Sequence, residues 1–186
     1  MKKIEESLDR LREKIQDEDF LNGRGQSNEV GIWFFCYDPE DEMAVRHFVS
    51  QLSTDQTLNC NLKIRDLYDI FLAACEDMDI LDAIPDMESE DGGDFLLDQL
   101  HSAIGADQFI EQIQYSGHEP GRDVLMLTGV GKVFPFMRVH ALLEALQPYF
   151  TDIPILVMYP GEFDCHQLKL FNRLRPNDYY RAFNVL

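Results

Sequence analysis

Apolar residues along the chain follow two different patterns. Near the N-terminus, Ile4, Leu8, Leu11 and Ile15 recur at spacings of four and three residues, which places them on one face of a helix. Further along, apolar residues form unbroken runs of strand length, in "VGIWFFCY", "VLMLTG" and "IPILVMYPG". Continuous apolarity is typical of strands that are buried on both faces, as in parallel sheets.

Helical patterns separate these runs. The first strand ends at Asp38-Pro39, where Asp38 can cap a helix that has Pro39 as its first residue and acids in its first turn. A short strand around Leu62–Leu67 precedes further helical spacing, "MRVHALLEALQPYF" and "HQLKLFNRLR" read as helices, and "YYRAFNVL" as a last strand or an extended tail. We expect Pro160-Gly161 to end the third buried strand.

This alternation predicts an α/β fold with a mainly parallel central sheet and helices on both faces. We expect residues 1–186 to form one domain, with an N-terminal helix in residues 1–22. Residues 79–94 are rich in acids and contain Pro85 and two glycines, which indicates a flexible acidic insertion or a long loop.

The formal net charge of −18, from 34 acidic and 16 basic residues, disfavours direct DNA binding, since a duplex repels such a chain. An acidic surface suits a basic protein partner better, although it also serves solubility alone. The sequence contains neither a run long enough to span a bilayer nor the apolar region of a signal peptide, so we expect a cytoplasmic protein. The four cysteines form no CxxC pair, and zinc is not indicated.

Three loops follow the buried strands: "YDPEDE", "TGVGKVFPFMR" and "YPGEFD". In open parallel sheets, ligands bind beyond the carboxyl ends of the strands. If the three strands are neighbours, these loops therefore meet at one rim of the sheet.

The stretch "TGVGKV" imitates a phosphate-binding loop but departs from GxxxxGK[ST]. The gap between Gly129 and Gly131 is too short, and Val133 replaces the hydroxyl residue that binds magnesium. Pro135 removes a backbone donor, and the first strand ends in acids instead of glycines. Asp38, Glu40, Asp41, Glu42, Asp164 and His166 could hold a metal if two loops met, but their spacing fits helix capping better than a known metal motif. Signatures of nucleophilic catalysis are absent from the sequence.

Four motifs, "WFFCYDPEDE", "LTGVGKVFPFMRVHALLEALQ", "PILVMYPGEFD" and "DYYRAF", resemble the BrxB family of bacterial BREX phage-defence operons, from about Arg24 to the end. Such systems pair a DNA adenine methyltransferase with an alkaline-phosphatase-like protein, a large ATPase and a Lon-like protein. The resemblance implies a small non-enzymatic subunit without a cofactor, acting as an adaptor for the phosphatase-like component or for the methyltransferase or ATPase. The strand order also resembles a P-loop NTPase core that lacks its Walker A loop, with Thr128 where a magnesium-binding acid would stand.

The motifs therefore nominate interaction or structural residues rather than catalytic ones. We expect Arg138 to bridge to rim carboxylates and Arg181 to form an ion pair or a surface contact. The full set is Tyr37, Asp38, Pro39, Glu40, Gly129, Gly131, Lys132, Arg138, Tyr159, Pro160, Gly161 and Arg181. Two alternatives stay open at this point: a nucleotide- or metal-responsive regulator that uses the rim, and a homodimer.

Overall fold

A computed structural model describes residues 2–23, 31–163, 167–175, 177–178 and 183–186. The strands are β1 Ile32–Tyr37, β2 Asn61–Asp66, β3 Asp123–Thr128, β4 Ile155–Phe163, β5 Gln167–Leu170, β6 Asn177–Asp178 and β7 Phe183–Asn184. The helices are α1 Lys2–Lys14, α2 Glu18–Leu21, α3 Glu42–Thr54, α4 Leu67–Asp77, α5 Ile84–Asp91, α6 Gly93–Ala103, α7 Ala106–Ile113, α8 Val130–Val133 and α9 Val139–Leu146. Short 3-10 turns cover Pro39–Asp41, Leu81–Ala83 and Gln147–Tyr149.

The central strands lie in the order β2-β3-β4-β1-β7 and are all parallel. The pairing of β1 with β4 runs from Ile32 opposite Ile155 to Tyr37 opposite Pro160. The first strand thus lies inside the sheet, between β4 and β7. The predicted α/β fold with a mainly parallel sheet is confirmed.

Successive side chains of each strand point to opposite faces of the sheet and pack into two separate cores. Ile32 and Phe34 of β1 lie in the core that α4, α6, α7 and α9 cover, whereas Phe35 and Tyr37 lie in the opposite core with residues of α1 and α3. Strands β3 and β4 divide in the same way: Leu125, Leu127, Ile155 and Val157 face one core, and Val124, Met126, Leu156 and Met158 face the other. Burial on both faces is the reason these strands contain unbroken apolar runs.

The N-terminal stripe packs on the domain itself. Ile4, Leu8, Leu11 and Ile15 are all buried in the core beneath α1 and α3. Arg12 of α1 donates a hydrogen bond of 2.5 Å to Asp55 at the end of α3. The helix predicted from the stripe is confirmed, and it continues into α2 after a cap in which Asp17 accepts from the backbone of Phe20.

The region after the third buried strand differs from the prediction. β4 does not end at Pro160-Gly161: its parallel pairing ends there, and the strand continues to Phe163 in antiparallel pairing with β5. The segment "QLKL", expected to be helical, is β5, and the alternation of exposed Gln167 with buried Leu168 shows the two-residue period of a strand. The turn after it places Phe171 and Asn172 at positive φ.

The acidic segment also differs. Residues predicted as an insertion or a loop form the 3-10 turn Leu81–Ala83 and helix α5, with Pro85 in the first turn and Gly92 at its end at φ 88°. Partly buried Leu81, Ile84 and Met87 pack against the main core, which explains why an acidic sequence becomes helical. The loop reading is therefore wrong, and the flexibility of this segment stays a prediction. Within the described parts of the chain, every helix is too short or too polar to cross a membrane.

Candidate functional site

The three loops named from the sequence do meet at one edge of the sheet. Strands β3, β4 and β1 are consecutive neighbours, and their carboxyl ends therefore share one rim. Strand β2 adds its own end, Asp66, beside Thr128 of β3. In an open α/β sheet, this rim is where ligands bind.

The loop after β1 is the start of a helix. The Asp38 carboxylate accepts a hydrogen bond of 3.0 Å from the Glu40 backbone, and Pro39 occupies the first turn, as the sequence predicted. The Tyr37 hydroxyl donates a hydrogen bond of 2.6 Å to Glu42. Burial and the adjacent Glu42 carboxylate raise the pKa of Tyr37 well above its usual value, so the hydroxyl remains a donor.

The loop after β3 commits its lysine to an internal ion pair. Lys132 lies in the single turn α8, and its ammonium is 2.5 Å from the Asp66 carboxylate, with both side chains partly exposed. The same ammonium lies 5.9 Å from the centre of the Tyr68 ring. Asp66 also caps α4, because it accepts hydrogen bonds from the backbones of Tyr68 and Asp69.

The two glycines of this loop are required for different reasons. Gly129 adopts a left-handed φ of 74°, and a Cβ there would lie 2.9 Å from the Asp66 carboxyl carbon. Gly131 is helical, and a Cβ there would lie 2.9 Å from the Phe171 ring. Gly129 thus forms the turn, whereas Gly131 admits the segment that follows β5.

A cleft, here called the α3 cleft, opens between α3 and the ends of β2 and β3, with a volume of about 260 Å³. Its charged lining comprises Lys132 paired with Asp66, Glu42 bonded to the Tyr37 hydroxyl, and exposed Arg46, which forms no ion pair with a described residue. Thr128 and Gly129 form its wall at the end of β3.

A second cavity, here called the arginine pocket, lies on the other side of α8, with a volume of about 420 Å³. Its polar lining consists of Arg138, Arg175, His140 and Tyr159. The rest of the lining is apolar and comes from α8, the α8–α9 connection, the start of α9 and the turn after β5: Val130, Phe134, Met137, Val139, Leu170 and Leu174.

Two titratable groups of the arginine pocket are held in their neutral forms at neutral pH. Burial, and then the nearby Arg138 charge, lower the pKa of His140, although Glu144 opposes this. Burial raises the pKa of Tyr159 far above neutrality, and Cys36 adds to the effect. Tyr159 is 2 % exposed, and its hydroxyl has no hydrogen-bond partner among the residues that the structure describes.

The nominated residues fall into four places on this rim. Tyr37, Gly129 and Lys132 line the α3 cleft, and Arg138 and Tyr159 line the arginine pocket. Asp38, Pro39 and Glu40 line a shallow hollow with the turn Phe171–Leu174. Pro160 and Gly161 form the bend in β4, where a Cβ on Gly161 would collide with the Lys169 backbone carbonyl.

Two expectations about arginines have different outcomes. Arg138 does not bridge to a rim carboxylate: it is exposed, and no ion pair joins it to any described residue. Arg181 lies outside the described residues, as do Asp164 and His166 of the metal hypothesis. Within the described ranges, no group of three His, Cys, Asp or Glu residues is placed to hold a metal ion.

Sequence reasoning missed Asp66, His140 and Arg175 as rim residues. Asp66 carried a usable signal, because an aspartate directly before a helical pattern is a capping residue at the end of a strand. Arg175 belongs to a small basic cluster of the C-terminal half, with Lys169, Arg173 and Arg181. Its place at the rim did not follow from that cluster, because the segment before it was assigned to a helix instead of to β5.

Comparison with known proteins places the chain in a family. The family profile described as BrxB, BREX protein BrxB, matches residues 63–185. A protein named BREX protein BrxB from Bacillus cereus (strain H3081.97) is 35% identical over 191 residues, which cover 100% of this chain and 99% of the relative. Another of the same name, from Escherichia coli O9:H4 (strain HS), is 25% identical over 183 residues, covering 98% and 92%. No solved structure matches the chain. The family profile and the full-length relative together show that this chain belongs to the BrxB family.

Proposed function

We propose that this chain is a non-catalytic adaptor subunit of a BREX anti-phage system, which binds other proteins of that system. Membership of the BrxB family makes the chain a component of such a system. The adaptor role and the identity of its partners are the proposal. The alkaline-phosphatase-like protein is the first partner we expect, followed by the methyltransferase and the large ATPase.

The ion pair between Lys132 and Asp66 carries the non-catalytic part of the proposal. A phosphate-binding loop needs its lysine free to neutralise the phosphates, whereas this lysine already lies 2.5 Å from a carboxylate. The neighbouring loop after β1 presents Asp38, Glu40 and Asp41, which repel a triphosphate.

The sheet supports a further part of the proposal, a distant likeness to a P-loop NTPase core without its Walker A loop. β1 lies inside the sheet and leads directly into α3, as the first strand of such a core leads into its phosphate loop and helix. Thr128 ends β3 where a magnesium-binding acid would stand. This likeness concerns the fold and implies no activity.

The surface supports an interaction role. Three helical elements each expose a large apolar side chain, with exposed fractions of 72% for Met43, 45% for Phe95 and 50% for Tyr149. The net charge of −18 favours partners with a basic surface.

Co-purification tests the adaptor role. The tagged chain is mixed with each of the other system proteins, at low and at physiological salt, in the presence and absence of ATP and DNA. We expect stoichiometric capture of at least one of them by the wild type and by Lys132→Met. Failure to capture any of them under all these conditions would overturn the proposal.

A second candidate is a regulator that binds a nucleotide or a metal in the α3 cleft. The observation in its favour is the position of this cavity of about 260 Å³ over the carboxyl ends of β2 and β3. A ligand at about 50 times its Kd stabilises a protein by about 2.3 kcal/mol, which for this length raises Tm by roughly 5–9 °C. Melting scans with ATP, GTP, Mg²⁺ and Ca²⁺ on the wild type and on Lys132→Met therefore separate the two candidates: a shift that the variant loses supports the regulator.

A further inference from the structure

The arginine pocket differs from the α3 cleft and from the hollow at Asp38–Glu40 because no carboxylate of the described residues lines it. Glu42 and Asp66 line the α3 cleft, where Asp66 pairs with Lys132. Arg138 and Arg175 are both exposed, and neither forms an ion pair with a described residue. In a chain with 34 acids and 16 basic residues, two arginines without a carboxylate partner beside one cavity leave its positive charge available to a ligand.

The interior of the pocket offers a complementary set of groups. Its walls are mainly apolar, and Tyr159, 2 % exposed, brings a hydroxyl without a hydrogen-bond partner among the described residues. A hydroxyl that lacks a partner within the protein is free to donate a hydrogen bond to an acceptor of a ligand in the cavity. No carboxylate of the described residues lines the cavity.

We propose that the arginine pocket is a docking site for an acidic–apolar segment of another protein of the defence system. An apolar side chain of that segment enters the cavity, a neighbouring carboxylate pairs with Arg138 and Arg175, and an acceptor of the segment meets the Tyr159 hydroxyl. The identity of the partner rests on the proposed adaptor function, while the ligand chemistry rests on the pocket alone.

The arrangement of charge and burial favours a peptide anchor. Because both arginines are exposed and Tyr159 is buried, the cations lie at the opening and the apolar surface lies inside. A ligand therefore enters with its apolar end and keeps its anionic end at the surface, as a side chain next to an acidic residue does. The net charge of −18 repels such a segment at a distance, so the two arginines select this place over the rest of the surface.

The first experiment tests the ligand chemistry with 4-phenylbutyrate, an apolar body with one carboxylate, and with its neutral amide. In NMR titrations, we expect resonance shifts confined to residues of the pocket. The carboxylate should bind with a Kd of about 1 mM or tighter, and the amide should bind at least about fivefold more weakly. Arg138→Gln with Arg175→Gln should reduce carboxylate binding to the level of the amide. The matched control, Arg122→Gln with Arg173→Gln, changes two exposed arginines outside the pocket and should leave it unchanged. The proposal is overturned if 4-phenylbutyrate does not bind at about 10 mM, or if the substitution of both pocket arginines leaves its binding unchanged.

The second experiment tests the occupant in the co-purification assay. Arg138→Glu with Arg175→Glu should lower partner capture at least about tenfold, since it places like charges opposite the incoming carboxylate. Arg122→Glu with Arg173→Glu should leave capture within about twofold, as expected for charges outside the interface. Thermal melting checks that both variants remain folded.

The outcomes separate the two proposals. Capture by the wild type that persists in the pocket variant overturns the pocket as the docking site and leaves the adaptor function standing. If the wild type captures nothing, the adaptor function and this occupant are both overturned, whereas arginine-dependent binding of 4-phenylbutyrate still supports a site for apolar anions. A wild-type dimer that the pocket variant converts to a monomer, measured by light scattering, identifies a second copy as the occupant and also overturns the partner proposal.

Discussion

Replacing Gly129 with alanine tests whether the loop after β3 is a structural junction. Gly129 has a φ of 74°, and a Cβ there would lie 2.9 Å from the carboxyl carbon of Asp66 and 3.1 Å from one of its oxygens. The substitution therefore strains the backbone and displaces a carboxylate that has two other functions. Asp66 caps α4 and pairs with Lys132.

The expected loss of stability is the sum of three effects. A left-handed conformation costs a residue with a Cβ about 1 kcal/mol, loss of a helix cap costs about 1 kcal/mol, and loss of a partly exposed ion pair costs about 0.5 kcal/mol. Gly129→Ala should thus lower the free energy of unfolding by about 2.5 kcal/mol, and Tm by roughly 5–10 °C for a chain of this length.

Gly117→Ala is the matched control, because Gly117 has a φ of 78° and no atom within 4 Å of the added Cβ. Gly117→Ala should lower the free energy of unfolding only by the cost of the left-handed conformation, about 1 kcal/mol. Urea unfolding of both glycine variants is measured first. Adding Asp66→Ala and the double variant Asp66→Ala with Gly129→Ala completes a double-mutant cycle. A coupling of about 1.5 kcal/mol between positions 66 and 129 is expected. Equal losses for the two glycine variants, or additive losses in the cycle, would refute the proposed contact.

Three further predictions concern the titrating groups and the core. Burial raises the pKa of Asp123, but hydrogen bonds from Asn61, Tyr115 and the Glu119 backbone outweigh it and lower the pKa below its usual value. The ionised Asp123 carboxylate therefore stabilises the fold fully above pH of about 3.9, and this stabilisation is lost as pH falls through the folded-state pKa. Asp123→Asn should be less stable than the wild type at pH 7, and the difference should shrink as pH falls through that pKa. Urea unfolding at several pH values measures it. In an NMR titration, Arg138→Ala should raise the pKa of His140, because the Arg138 charge is one of the two causes that lower it; an unchanged value would show that the two side chains do not interact. Leu11→Ala should cost about 2–5 kcal/mol because Leu11 is 0% exposed, and a loss below about 1 kcal/mol in urea unfolding would show that α1 is not part of the core.

Elements with continuous or periodic apolar patterns could be predicted from the sequence. The strand "VLMLTG" is buried on both faces, and the stripe from Ile4 to Ile15 is buried on one, so each pattern reflects its surroundings. The short segment Gln167–Leu170 could not be assigned reliably, since four residues with two leucines fit a helix or a strand. The segment forms a strand because it pairs with Gly161–Phe163 of β4.

The candidate site divides in a similar way. Its location followed from the sequence, because loops after neighbouring parallel strands must share a rim. Its contacts did not follow, since Lys132 meets Asp66 from 66 positions away in the chain and Arg175 reaches the pocket only through the turn after β5. Long-range contacts of this kind depend on the order of the strands.

By itself, the sequence determined the fold class, the turn that Asp38 caps ahead of α3, the missing hydroxyl at Val133 and the resemblance to the BrxB family, because each depends on residue types at short spacing. Only the tertiary structure decided what the phosphate-loop-like stretch does. It brings Asp66 against Gly129 and Lys132, which commits the lysine to an ion pair. It also places Arg138 and Arg175 around one cavity that no carboxylate of the described residues lines. A charge is neutralised or left available according to which side chains the strand order places within a few ångströms, and local sequence carries no information on that.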